Sequence, residues 1–511
     1  MMNKKRKGLI KKGYKQLKND NKLDFLLKLV DILSRTKLNN TKALKGFPCK
    51  HDFNTELSIR QFLTVRVLGY SFNKAILYSI GANKPLRCPL PKEWRCALIK
   101  QEVQVDRLSC ALLWQGYVFL LWAHGVIQGL KSIIYLINSK KILREYVFFN
   151  DIEKDSLPTN SKAHNIVNWY LKWKGGVKNI DTIAHSAPNV SNYKYNNLQV
   201  FYIDGLPNLE GVQIARYFFL QVYLIFYSLL LIFIKPYSAI LLSELLKLLR
   251  VNLANDKELA RDYLFHSSGA FYRPIWTYAA ENKGSRILFY FYSTNTENFK
   301  TKAGYPIQHP RHLMSWSHYL VWDKFQTDFL KRFGHHKSTI EEVGPIWFSS
   351  SGRAIDVSLN SIAVFDVTPF NEDVFVTLGP VNEYHIPKIA NQFLGDIYSV
   401  LEKNDLIMAH KIKRKNKKAH KEYMHNLKKL KKQPNYIEIN PDLDATELIK
   451  KTKACISMPF TSTALIAKHE GRPSVYYDPS GIVQAGDRAA HGIPLLVGID
   501  ELQEWVKGIN Q

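Results

Sequence analysis

Over the first 150 residues, apolar positions recur at helical spacing. LDFLLKLVDILSR (23–35), RQFLTVRVLGYSFNKAILYSI (60–80) and VQVDRLSCALLWQGYVFLLWAHGVIQGLKSIIYLI (103–137) keep apolar residues three and four apart, which predicts helices. GANKPLRCPLPKEW (81–94) breaks the pattern with prolines. From about residue 145 the texture changes to short unbroken apolar runs. EYVFF (145–149), VFYI (200–203) and ILFYFY (287–292) predict strands, and HNIVNWYLKWKG (164–175) an amphipathic helix.

Beyond 337, strand and helix patterns alternate with short links. IAVFDV (362–367), DLIMAHK (405–411), YIEI (436–439) and ACISM (454–458) predict strands. PKIANQFLGDIYSVLEK, HKEYMHNLKKLKK and DATELIKKT between them predict helices. That alternation predicts a parallel sheet, and right-handed crossovers bring all its strand carboxyl ends to one edge. The expected division is a basic arm over 1–20, an N-terminal domain over 21–336 that is helical at first and α/β from about 145, and an α/β domain over 337–511.

Charge narrows the partners. The 511 residues carry a formal net charge of +27, which predicts an anionic partner: nucleic acid, a membrane face or a phosphorylated substrate. The five cysteines lack zinc-site spacing and read as free thiols of a reducing cytoplasm. The N-terminus MMNKKRKGLIKKGYKQLKND is basic without an apolar core after it, so it is not a secretory signal. It reads as a solvated arm or as a contact for anionic lipid. Residues 217–234 carry no charge, close to the length of a membrane span. A single span there would divide the N-terminal domain across a bilayer, so a buried helix or one lying in the membrane plane is expected.

The stretch with most chemistry is ACISMPFTSTALIAKHEGRPSVYYDP (454–479). It reads as strand, tight turn, helix, loop, strand. Pro459 stops the strand, and Thr461, Ser462 and Thr463 stand where the helix begins. Hydroxyls and free N–H groups at a helix start form an anion site, and an ordinary capped helix reads the same way. Asp478 follows the next strand. Lys411, Lys413 and Arg414 end an earlier parallel strand on the same edge and would add cations for a phosphate. In the N-terminal half, Asp204 follows the VFYI strand at the end where ligands gather in open sheets, or is a plain turn residue. Arg273, Trp276, Glu281 and Asp323 lie among aromatics that would stack on sugar rings, or form core and ion pairs.

PFTST with ALIAKHEGRPSVYYDPSG, together with RPIWTYAAENKGSRILFYFYSTN and YLVWD, resembles the bacterial PFTS-motif polysaccharide biosynthesis proteins over roughly 200–510. The resemblance implies a glycosyltransferase of surface polysaccharide (O-antigen or capsule) assembly. Its fold would be α/β, two Rossmann-like domains of GT-B type after a largely helical N-terminal region. On that basis Lys411, Lys413, Arg414, Thr461, Ser462, Thr463 and Asp478 would bind the donor nucleotide and phosphate. Asp204 or Glu281 would be the base, and Arg273, Trp276 and Asp323 would contact acceptor or sugar. No cofactor and no metal are expected.

The partners would be a nucleotide sugar, a lipid-linked or oligosaccharide acceptor, and the anionic inner face of the membrane. The order of basic motif and Ser/Thr turn is similar to that of bacterial sialyl- and polysialyltransferases, which use CMP-activated sugars. KIKRK stands where their His-Pro motif would be, and His309-Pro310 lies far earlier, so a CMP-linked nonulosonic acid and a UDP- or GDP-linked hexose both stay open. Two other classes stand beside this reading: a non-catalytic sugar-nucleotide-binding scaffold, and a nucleic-acid-binding protein suggested by charge alone.

Overall fold

The computed structural model describes residues 4–510, leaving out 21, 23, 40–43, 45–46, 48–52, 139–144, 153, 159–165, 188, 267–270, 294–296, 303, 308–309, 347–354, 370–385, 413–418 and 460. Two sheets organise it. The first holds β1 (Val147–Phe149), β2 (Thr182–His185), β3 (Tyr193–Tyr195), β4 (Leu198–Tyr202), β5 (Asp262–His266), β6 (Arg286–Tyr290), β7 (His318–Val321) and β8 (Thr339–Glu342). Its order is β3-β4-β2-β1-β5-β6-β7-β8, parallel throughout except for the β3–β4 pair.

The second sheet holds β9 (Ser361–Phe365), β10 (Ile407–Lys411), β11 (Tyr436–Ile439), β12 (Ala454–Ser457), β13 (Ser474–Asp478) and β14 (Leu495–Val497). Its order, β11-β10-β9-β12-β13-β14, is wholly parallel and is the 3-2-1-4-5-6 order of a Rossmann sheet. The expected class, α/β with two Rossmann-like units after a helical start, is the observed one.

Local chemistry accounts for these elements. Every residue of β9 is buried, as is all of β6 but its first, because helices cover both faces of a parallel sheet. The helix Pro387–Glu402 starts with proline at its first turn, where a missing N–H costs nothing. It buries Ile389, Phe393, Leu394, Ile397 and Leu401 along one face, each contributing about 1.5–3 kcal/mol. The helix Thr463–His469 ends at Gly471, whose φ of 69° lets its N–H reach the Lys468 carbonyl at 3.1 Å.

Two expectations need correction. Residues 4–19 are not a solvated arm but a helix, crossing the helix Tyr70–Ala82 at two glycines. A Cβ on Gly81 would stand 1.9 Å from the Leu9 carbonyl oxygen, and one on Gly13 2.1 Å from that of Leu77. Only glycine allows backbones so close. The second sheet also does not begin at 337, since β8 pairs with β7 and belongs to the first. Its sequence, TIEE, has no apolar run and so gives no strand signal.

The long helix Arg107–Asn138 and the helix Val212–Leu230 pack side by side and against Leu242–Leu253. Trp122 Nε1 donates to Ser228 Oγ at 3.2 Å across them. By length and composition both are apolar enough to cross a membrane. Val212–Leu230 lies in the crossover from β4 to β5, however, so the chain enters and leaves it on one sheet. Its outer face is not buried: Phe219 is 71 % and Phe226 61 % exposed.

Candidate functional site

In an open parallel sheet, ligands bind beyond the strand carboxyl ends where the strand order reverses. In the second sheet that point lies between β9 and β12. Past β9, the carboxylate of Asp366 accepts the Tyr423 hydroxyl and lies 3.4 Å from His410 Nε2. His410 Nδ1 is 2.8 Å from the Tyr436 hydroxyl. All four are buried, and burial raises both phenols far above their ordinary range, so they stay protonated donors. The network fixes the end of β9 against β10, β11 and the helix Lys421–Leu430.

Past β12, the PFTST turn holds itself. Thr461 Oγ1 donates to the Met458 carbonyl at 2.7 Å, and Ser457 and Thr463 share a hydroxyl contact of 2.7 Å. Tyr476 donates its hydroxyl to the Thr461 carbonyl at 2.8 Å, and Ser462 stands at the N-cap of Thr463–His469. Lys411 ends β10, nearly buried, with Nζ 3.1 Å from the Pro441 carbonyl oxygen, and burial lowers its pKa. Lys413 and Arg414 lie outside the described residues. Asp478, fully buried, accepts from Ser480 N at 2.9 Å and Val483 N at 2.8 Å and so shapes the loop after β13.

One D-x-D triplet, Asp442-Leu443-Asp444, escaped the sequence reading. Asp444 caps the helix Ala445–Lys451 through Thr446 N at 2.9 Å, and burial raises its pKa to about 6. Among the described residues, no three His, Cys, Asp or Glu side chains gather as metal ligands would.

In the first sheet the order reverses between β1 and β5. Asp151 follows β1 with a φ of 50°, and its carbonyl oxygen lies 2.9 Å from Nε2 of His266, the last residue of β5. Both proposed bases are committed elsewhere. Asp204 accepts from Nη1 of the fully buried Arg250 at 2.6 Å and from Leu206 N at 3.1 Å. Glu281 accepts from Arg273 Nη2 at 2.7 Å, and Arg273, 2 % exposed, also donates to Thr277 Oγ1 at 3.0 Å and the Ser315 carbonyl at 3.1 Å. Trp276 is a core residue, its ring 5.2 Å from that of Tyr263.

Asp323 joins the two units. It caps the helix Lys324–Arg332 and meets His491 Nδ1 at 2.7 Å across 168 residues of chain. Beside it, Glu297 accepts from Arg332 Nη2 at 2.5 Å and Arg488 Nε at 2.6 Å. Tyr305 donates to Asp487 Oδ1 at 2.7 Å, and Phe299 packs on Tyr476 with ring centroids 5.5 Å apart. These groups sit past β6 and β7 on one side and on β13 or in the connection from β13 to β14 on the other. Segments that follow the carboxyl ends of β6 and β7 therefore meet β13 and the segment that follows its carboxyl end.

Two Rossmann-like units in contact are a class of fold that holds ligands where the units meet. The chain belongs to the family described as Polysaccharide biosynthesis PFTS motif protein, which matches residues 227–506, more than half of it. No curated protein matches the chain. Among solved structures it is similar to a UDP-glucosyltransferase from Polygonum tinctorium at 11% identity, covering 73% of this chain and 91% of that one with a TM-score of 0.35. It is also similar to the UDP-GlcNAc 2-epimerase of Methanocaldococcus jannaschii at 11% identity, 72% and 92% coverage and a TM-score of 0.36. A variant of the wall teichoic acid polymerase TagF is similar at 11% identity, 78% and 88% coverage and a TM-score of 0.37.

Proposed function

We propose that the chain is a GT-B-type glycosyltransferase of bacterial surface polysaccharide, moving a sugar from a nucleotide donor to a lipid-linked acceptor. The observation that carries this is the pair of Rossmann-like sheets, each with its own reversal point, in a member of a polysaccharide biosynthesis family. The donor lies between β9 and β12, its phosphate near the PFTST turn, Lys411, and Lys413 and Arg414 of the following segment. The acceptor hydroxyl attacks the anomeric carbon, the bond to the nucleotide phosphate breaks, and a carboxylate takes the hydroxyl proton. The cations offset the charge that grows on the leaving phosphate.

The paired state of Asp204 and Glu281 argues against either as base. Asp151, exposed at the β1–β5 reversal, fits the role better. Exposed apolar stripes on Arg107–Asn138 and Val212–Leu230, with the charge of +27, support peripheral docking on an anionic membrane face. The ion pairs also favour a second reading, a scaffold that binds sugar nucleotides without turning them over. Calorimetric titration with CMP, UDP and GDP tests the donor class: binding of one supports this function, and binding of none contradicts it. An Asp151→Asn variant that binds the same nucleotide but complements a deletion strain in full would favour the scaffold.

A further inference from the structure

A cavity of about 430 Å³ opens at the end of β4, lined by Gln128, Lys131, Ser132, Tyr135, Tyr202 and Lys247 among others. Its walls are the helices Arg107–Asn138, Val212–Leu230 and Leu242–Leu253. The floor is fixed from below: the fully buried Arg250 donates to Asp204, to Ser132 Oγ at 3.2 Å and to the Pro207 carbonyl at 2.7 Å. Two charges in the lining are answered within the protein, Asp204 by Arg250 and Lys247 by Glu244 at 2.8 Å. Lys131 leaves the cavity one cation in excess, amid hydroxyl, phenol and amide groups. That lining suits a polyol or sugar ring bearing one phosphate.

Two of the three wall helices turn apolar side chains to solvent. Leu120, Leu130 and Ile134 on one, with Phe219, Phe226 and Leu230 on the other, are 55–78 % exposed. A polar cavity is thus walled by helices that also carry exposed apolar side chains, a combination that fits a lipid whose head is polar and whose chains stay in the membrane. β4 stands two strands from β1 and three from β5 in a parallel sheet, so the cavity shares the strand-end edge with the β1–β5 reversal, about 12 Å along it.

We propose that this cavity is the acceptor subsite, and that it takes the phosphate-bearing hydroxylated ring, sugar or cyclitol, at the head of a membrane lipid while the apolar stripes lie in the bilayer. This rests on the glycosyltransferase reading for the word acceptor, but the lipid site itself is tested separately. The head sits at the end of β4, from which a glycan chain would extend along the edge toward the reaction centre. Asp204 then has a positioning role through Arg250 rather than a role at the reacting atoms.

The test is flotation of the full chain with phosphatidylcholine vesicles containing equal mole fractions of phosphatidylinositol or phosphatidylglycerol. Both added lipids carry one phosphodiester charge, and only one carries a hydroxylated ring. The expected result is at least about fivefold tighter binding to the inositol lipid, ~1 kcal/mol. A Gln128→Ala, Lys131→Ala variant loses that preference while still floating. A Leu120→Glu, Phe219→Glu variant, changed only at exposed positions, loses flotation and keeps its melting temperature. No preference in the wild type, or a preference that survives the double alanine change, overturns the proposal. Nucleotide titration of the same samples separates the failures: nucleotide binding without lipid preference sinks only this site, and lipid preference without nucleotide binding sinks the donor reading.

Discussion

The two units hold their carboxylates by different means. In the second, the carboxylate of Asp366 accepts a phenol and lies 3.4 Å from His410 Nε2, with Tyr436 behind them, all buried. In the first, carboxylates are held by arginines: Asp204 past β4 by Arg250, Glu281 in the helix Trp276–Asn282 by Arg273, and Asp262 at the start of β5 by Arg286 at 2.5 Å, with the Tyr170 hydroxyl beside it. A buried charge pair adds little net stability because desolvation offsets attraction, but breaking it leaves one charge stranded. Hydrogen bonds from uncharged phenols carry a smaller penalty when lost. The first unit should therefore be the more brittle of the two toward single changes at these pairs.

The largest effect is expected from Arg250→Met, which strands Asp204 and leaves the Pro207 and Leu206 carbonyls without their donor. A loss of about 3 kcal/mol is predicted, at the low end for a buried pair because the Asp204 side chain is 30 % exposed. Chemical denaturation followed by hydrogen exchange should place the loss in the helices around 212–253. Gly81→Val comes next. It drives the helix Lys4–Asn19 from its seat at a cost of about 1–3 kcal/mol and leaves the second unit's exchange unchanged. Tyr423→Phe removes one donor to Asp366 and should cost about 1–2 kcal/mol, read in the second unit alone.

The smallest expected effect is one of sign. Burial lowers the pKa of His185 and of His312 to about 4, both in the first unit. A histidine whose folded pKa is depressed contributes stability that is present above its unfolded value near 6.5 and lost as pH falls through 4. Asp444 in the second unit moves the other way. Its pKa, raised to about 6, contributes stability that is present below the unfolded value and lost as pH rises through 6. Between pH 6 and 4, hydrogen exchange should show the first unit loosening around β2 while the Asp444 contribution tightens the second. His185→Phe should flatten the first trend and Asp444→Asn the second.

Much of the second unit was legible in the sequence, because strands covered on both faces announce themselves as unbroken apolar runs. IAVFDV and ACISM marked β9 and β12 directly. The first unit was harder. β2 (TIAH) and β8 (TIEE) lack such runs, and the glycine crossing that orders residues 4–19 depends on a partner some seventy residues away. Site residues divided in the same way. The PFTST turn carries its own signal in hydroxyls and proline. Arg250 for Asp204 and His491 for Asp323 are set by which strand ends the fold brings together, and no local spacing reveals that. His410 was hidden inside an apolar strand, although a histidine in such a run is the one available hint of a buried polar partner.

The central claim is that a nucleotide sits at the β9–β12 reversal. Hydrogen exchange of the full chain with and without saturating CMP, UDP or GDP tests it most directly. The account predicts that one nucleotide slows exchange at 366–369 and 458–463, with little change at the ends of β1 and β5. Protection confined to the first sheet, or none with any of the three, would contradict it.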